Sequence, residues 1–170
     1  TFTEDVSTAP LLYHEEKRLK AELEKIYQVH ESVLNELFDK TWGTPFWAEH
    51  EAKEAMEILQ SMLVSPQDLA VMVSAVTLSL LRVFDNKKFN FLLEAYKHEE
   101  LLINQRALVG IVIAISKHEK RIVLYPDTVS RLTLLSEEEN FRKNLYTIQM
   151  QLLITRETTK IDKKMREEII

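Results

Sequence analysis

Two glycines, Gly43 and Gly110, are all that the 170 residues contain, and only four prolines accompany them. Tight hairpins and phosphate-cradling loops draw on glycine, so a strand-rich fold has little to turn on. The apolar residues carry the complementary signal. Leu19, Leu23, Ile26, His30, Val33 and Leu37 follow one another at alternating steps of four and three, which places them on one face of a helix. Ala48, Ala52, Ala55, Leu59 and Met62 continue in the same period, and so do Phe141, Leu145, Ile148 and Leu152. No stretch alternates at period two long enough to make a strand. The chain is expected to be all-α.

Local start and stop signals divide it. Trp42-Gly43 ends a long helix from about Pro10, with Gly43 free to adopt a left-handed cap. Thr44-Pro45 and Ser65-Pro66 each pair an N-cap with proline at the first helical position. Asp85 caps a helix from about Asn86 to Lys97, and Tyr125-Pro126-Asp127 opens another. Ser136 with Glu139 makes a capping box that starts a helix over 137–154, and a last amphipathic stretch begins near Thr158. Amphipathic segments (45–63, 86–97, 127–135) alternate with longer or more buried ones (66–84, 101–117, 137–154). The repeat of about 35 residues lies in the range of two-helix solenoid units. The expected organisation is a single domain. Residues 1–43 form a long N-terminal helix, 44–157 stacked antiparallel hairpins, and 158–170 the start of a further helix. Ile161, Met165 and Ile169 carry an apolar stripe to the last residue, so the chain is expected to be a piece of a longer protein.

Composition removes several chemistries. With no cysteine there is no disulfide, thiolate metal site or cysteine nucleophile. A net charge of -5 disfavours broad nucleic-acid binding. Two basic clusters, Lys117-Lys120-Arg121 and Lys160-Lys163-Lys164-Arg166, read as solvated helix faces, and acidic residues interleave the second. The apolar runs at 69–84 and 107–115 fall short of the ~20 residues of a bilayer crossing, so no membrane span is expected. Thr1–Ala9 has no apolar leader core, and a cytoplasmic location is expected.

All five histidines precede a glutamate, which invites a metal reading. A zinc helix needs a second histidine four residues on. Those positions hold Arg18, Leu34, Glu54, Leu102 and Ile122. A di-iron helix needs a glutamate three residues before the histidine. There stand Leu11, Tyr27, Trp47, Ala95 and Ile115. No metal or cofactor is expected. His30, inside an apolar seam, reads as a buried structural histidine, and His98 and His118 suit helix C-termini. Trp42, Phe46 and Trp47 read as a staple or inter-helix plug. Gly110, inside a buried helix, marks a close helix contact where leucine should overpack and alanine should gain helix propensity.

Asn104-Gln105-Arg106-Ala107-Leu108-Val109-Gly110-Ile111 resembles the second helix of a HEAT-type repeat, with a polar entry, a small residue and an aliphatic run. The stretch from Ser74 to Ile170 is similar to the helical region that precedes tetratricopeptide repeats in large bacterial repeat proteins. Leu78-Ser79-Leu80-Leu81, Arg106-Ala107-Leu108-Val109-Gly110, Leu124-Tyr125-Pro126, and Arg156-Glu157-Thr158 through Lys164-Met165-Arg166-Glu167-Glu168-Ile169-Ile170 carry that similarity. The tetratricopeptide pattern itself is absent. The resemblance implies a HEAT/ARM-like α-α superhelix, protein–protein contact and no catalytic residues. The expected function is a non-catalytic interaction or scaffold module with a protein or peptide partner. Arg82, Asn104 and Arg106 are its candidate contacts, unless they cap or cross-link neighbouring hairpins instead. Two other readings stand beside it: a helical enzyme or metal-dependent hydrolase with unrecognised motifs, and an oligomeric bundle joined through the Leu19–Leu37 seam.

Overall fold

A computed structural model describes the backbone of residues 9–169 and the side chains of 12–160 and 163. The described residues form seven helices and no strand: α1 (Ala9–Gly43), α2 (Glu49–Gln60), α3 (Pro66–Arg82), α4 (Asn86–Tyr96), α5 (Leu101–Ile122), α6 (Pro126–Glu137) and α7 (Glu139–Ile169). The all-α expectation holds. The side chains of Ile161, Met165 and Ile169, and of Lys164 and Arg166, lie outside the described residues.

The chain divides into two compact units, Thr1–Asp39 and Lys40–Ile170. The last turn of α1 belongs to the second unit because Lys88 grips the Thr41 carbonyl and Arg82 lies over the Trp42 ring.

Several helix boundaries follow their local signals. The Ser65 hydroxyl accepts the Asp68 amide at 3.2 Å, with Pro66 opening α3. The Asp85 carboxylate accepts the Lys87 and Lys88 amides at the start of α4. Pro126 opens α6.

Other boundaries depart from the expectation, each for a physical reason. Thr44-Pro45 starts no helix; α2 begins after Ala48, whose amide donates to the Glu51 carboxylate at 2.8 Å. Residues 44–48 are a connector held by α3 and α4, with the Trp47 amide on Asp85 and the Thr44 carbonyl on Lys88. Gly43 has no positive φ, so α1 ends without a left-handed cap. Ser136 caps nothing ahead of it, because its hydroxyl turns back to the Thr133 carbonyl within α6. No helix starts at Thr158 either. Thr155, Thr158 and Thr159 each bond the carbonyl four residues earlier, and α7 runs on through them.

The core lies in the second unit, and α5 is its axis. Ile103, Ala107, Leu108, Ile111, Val112 and Ala114 are buried, and α5 packs on α3, α4 and α7. By length and composition α5 alone among the described helices reaches what a bilayer crossing requires, because it extends well past the 107–115 run. Here Ile103, Ala107, Leu108, Ile111, Val112 and Ala114 of this helix are buried against protein, while Leu101, Leu102 and Val109 stay exposed. Both α2 and α6 pack on α4, and α7 packs on α6. Aromatic contacts lock these helices. Trp47 meets Phe91 edge-on at 5.6 Å, and Tyr96 meets Phe141 at 5.1 Å. Trp47 is therefore a buried plug, while Phe46 is exposed. A polar tie joins α6 to α4: buried Thr128 donates to Asn86 at 2.7 Å and accepts from Asn90 at 3.1 Å.

Candidate functional site

The most unusual side chain is Lys88, which is fully buried. Long charged residues are almost never wholly enclosed unless partnered. Its ammonium has three donors and meets three acceptors: the Thr41 carbonyl at 2.8 Å, the Ser79 hydroxyl at 2.6 Å and the Thr44 carbonyl. Two of these belong to the C-terminal end of α1 and its exit, where carbonyls lack helical partners and the helix dipole favours a cation. The ammonium also lies 5.3 Å from the centre of the Trp47 ring, a cation–π distance. Desolvation lowers the Lys88 pKa from 10.5 to about 8, although Asp85 and then Glu51 act to raise it. With every donor committed and no exposed surface, the amine has no route to a substrate. It acts as a clasp between α1, α3 and α4.

Sequence reasoning missed Lys88 because Asn86-Lys87-Lys88 resembles an exposed polar turn. A signal was present: Lys88 shares a helix face with Phe91, Leu92 and Ala95, all buried. Its neighbour Lys87 behaves conventionally. It is half-buried, donates to the Trp47 carbonyl at 3.0 Å and pairs with Glu49 at 2.9 Å.

The same device recurs at two other helix ends. The last carbonyls of α3 are engaged from α5, Leu80 by His118 Nε2 at 2.6 Å and Leu81 by the Lys117 ammonium. His118 departs from helical geometry (φ -126, ψ 21), so α5 kinks where it reaches across to α3. The final carbonyl of α4, on Tyr96, accepts from the Asn104 side chain. Three helix C-termini thus have a carbonyl engaged from another helix, in addition to the backbone bonds that their own following residues make.

The three sequence-predicted contacts do not converge. Arg82 is exposed at the end of α3, with its guanidinium 5.5 Å from the Trp42 ring centre. Asn104 is half-buried and spent on the Tyr96 carbonyl. Arg106 reaches from α5 to α3, donating to the Ser74 hydroxyl at 2.7 Å and lying 3.5 Å from the Ala70 carbonyl. All three therefore join elements of the second unit. Arg106 has a second role, since it borders an open groove of about 390 Å³ between α3 and α5. Leu78, Leu102 and Val109 give this groove apolar walls, and Thr77 and Gln105 complete it. Those three apolar residues are 41%, 40% and 37% exposed, which marks a continuous surface slot beside one cation.

His30 lies on α1, as His14 does, and is exposed rather than buried as its place in the apolar seam suggests; no three His, Asp or Glu side chains gather as a metal-ligand set among the described residues. Comparison with family models, with curated proteins and with solved structures finds no match for this chain.

Proposed function

We propose that the chain is a non-catalytic interaction module, a segment of a HEAT-like α-α superhelix that holds a protein or peptide partner. The observation that carries this reading is the alternation of helix packing. α3, α5 and α7 pack in succession, as do α2, α4 and α6. Hairpins α4–α5 and α6–α7, with α2 and α3 making a third pair that stacks on α4 and α5 more than on itself, would give one helix of each pair to each of two layers and make those contacts. The second helix of each hairpin then forms a common face, and the α3–α5 groove lies on it. Its chemistry describes the ligand: an apolar side chain against Leu78, Leu102 and Val109, and a carboxylate within reach of Arg106. No catalytic residue and no cofactor is assigned. Arg82 and Asn104 stabilise the scaffold, and Arg106 is the partner-facing residue of the three.

Panning a random peptide library against the whole chain tests this reading. Enriched peptides should combine a large apolar residue with a nearby Asp, Glu or free carboxyl terminus. Their binding should fall at least tenfold on Arg106→Glu or Val109→Arg. Peptides that bind both variants as well as the parent would place recognition elsewhere and overturn the assignment.

A further inference from the structure

The first unit carries a surface that the reading above does not use. Along α1, Leu12, Leu19, Ile26 and Val33 recur every seven residues, with Leu23 and Leu37 four residues after Leu19 and Val33, at coiled-coil spacing. Taking Leu19 as a d position makes Leu23 and Leu37 a positions. Glu16 and His30 fill the remaining a sites. Leu19, Leu23, Ile26 and Val33 are 51–64% exposed, a density of apolar surface that a solvated helix face does not carry. The outward positions from His14 to Asn35 are polar apart from Ala21, among them Lys17, Arg18, Glu24, Lys25, Gln28 and Glu31. The seam is about 38 Å long, three to four heptads.

We propose that α1 is an oligomerisation helix, and that the same helix of further copies of this chain covers its seam, parallel and in register, in a bundle of three or four strands. Orientation follows from the flanking charges. In a parallel bundle each g residue meets the e residue five positions on in the next copy. Glu15 then meets Lys20, and Val29 meets Leu34. An antiparallel pairing sets g against g and brings Glu15 opposite Glu36, like charge on like. Strand number follows from the core. Leucine at a with Ile26 and Val33 at d favours more than two strands, as Leu at a with Ile at d does in model coiled coils. Exposed Tyr27 and Val29 at e and g widen the apolar band beyond what two strands cover. Polar Glu16 and His30 at a positions fix the register at a cost in stability. This inference stands independently of the groove between α3 and α5.

Sedimentation equilibrium of the whole chain should give three or four times its 20.0 kDa mass. Leu23→Glu with Ile26→Glu should return it to the monomer mass without loss of helicity in the second unit, since neither residue is buried. Val33→Cys adds the sole cysteine of the chain, and on mild oxidation it should form an interchain disulfide, as facing d positions of parallel strands allow. Lys20→Glu should weaken assembly at least severalfold, and adding Glu15→Lys should restore it. A monomer at every concentration would overturn the proposal, as would a two-chain mass. Failure of Val33→Cys to cross-link in an assembly of the right mass would overturn it too, because the strands would then not be parallel and in register.

Discussion

Placing a methyl group at Gly110 tests how tightly α3 and α5 are joined. A Cβ built there would meet the Thr77 hydroxyl well inside 3.0 Å, Leu92 Cδ1 at 2.9 Å and Thr77 Cβ at 3.4 Å. The expectation from sequence, that alanine gains about 1 kcal/mol of helix propensity, is only half of the balance. Leu92 Cδ1 is the tip of a flexible side chain and can yield. Thr77 cannot yield easily, because it is β-branched and its hydroxyl donates to the Val73 carbonyl at 2.9 Å. Either that bond breaks or α5 backs away from α3, and overpacking of this kind costs about 1–3 kcal/mol. Gly110→Ala should therefore destabilise by up to about 2 kcal/mol net, a fall in Tm of up to about 8 °C for a chain of this size. Gly110→Leu should be worse. Thr77→Ala removes the offending oxygen and leaves the residue-77 Cβ at 3.4 Å and the yielding Leu92 tip. In that background Gly110→Ala should stabilise, by up to about 1 kcal/mol. Thermal and urea melts of the four chains, at one fixed concentration, close the double-mutant cycle. A Gly110→Ala variant more stable than the parent, or a cycle with no coupling, would refute the close α3–α5 contact.

The Lys88 clasp supplies further expectations. Lys88→Met keeps the apolar stem but leaves the Thr41 and Thr44 carbonyls without their donor, and should cost about 1–3 kcal/mol in urea melts. Because the buried amine titrates near 8 against 10.5 when free, the folded chain sheds this proton first. Lys88 then contributes least below pH 8, and its contribution to stability rises with pH between about 8 and 10.5. Parent-minus-Lys88→Met stability across that window should show the rise, and a flat or falling difference would contradict it. Asp85→Ala removes the acceptor for the Trp47, Lys87 and Lys88 amides and should cost about 1–2 kcal/mol, read by the same melts, with Asp85→Asn recovering much of it.

What was legible in the sequence follows a physical line. The period of the apolar residues fixes helices because burial selects one face, and that signal is local. Ser65, Asp85 and Pro126 mark helix starts because their partners lie within a turn. Thr44 and Ser136 look the same locally yet cap nothing. The Thr44 carbonyl is taken by a lysine 44 residues away, and the Ser136 hydroxyl finds a carbonyl behind it instead of an amide ahead. Helix ends engaged from another helix were the least legible. Lys117 and His118 look like surface or helix-end residues until α3 is placed beside α5. Arg82, Asn104 and Arg106 stand out as polar residues on apolar helices, and of the three Arg106 borders the α3–α5 groove. The groove itself depends on the spacing of α3 and α5, which no local pattern records.

The proposed interaction role places the partner in the α3–α5 groove, and methyl NMR reads that groove directly. With the Leu, Ile and Val methyls labelled, a peptide selected by panning should shift Leu78, Leu102 and Val109 together at one affinity. Leu59 and Leu135, buried in α2 and α6, should stay unmoved. Shifts confined to other residues, or a groove silent at saturating peptide, would contradict the account.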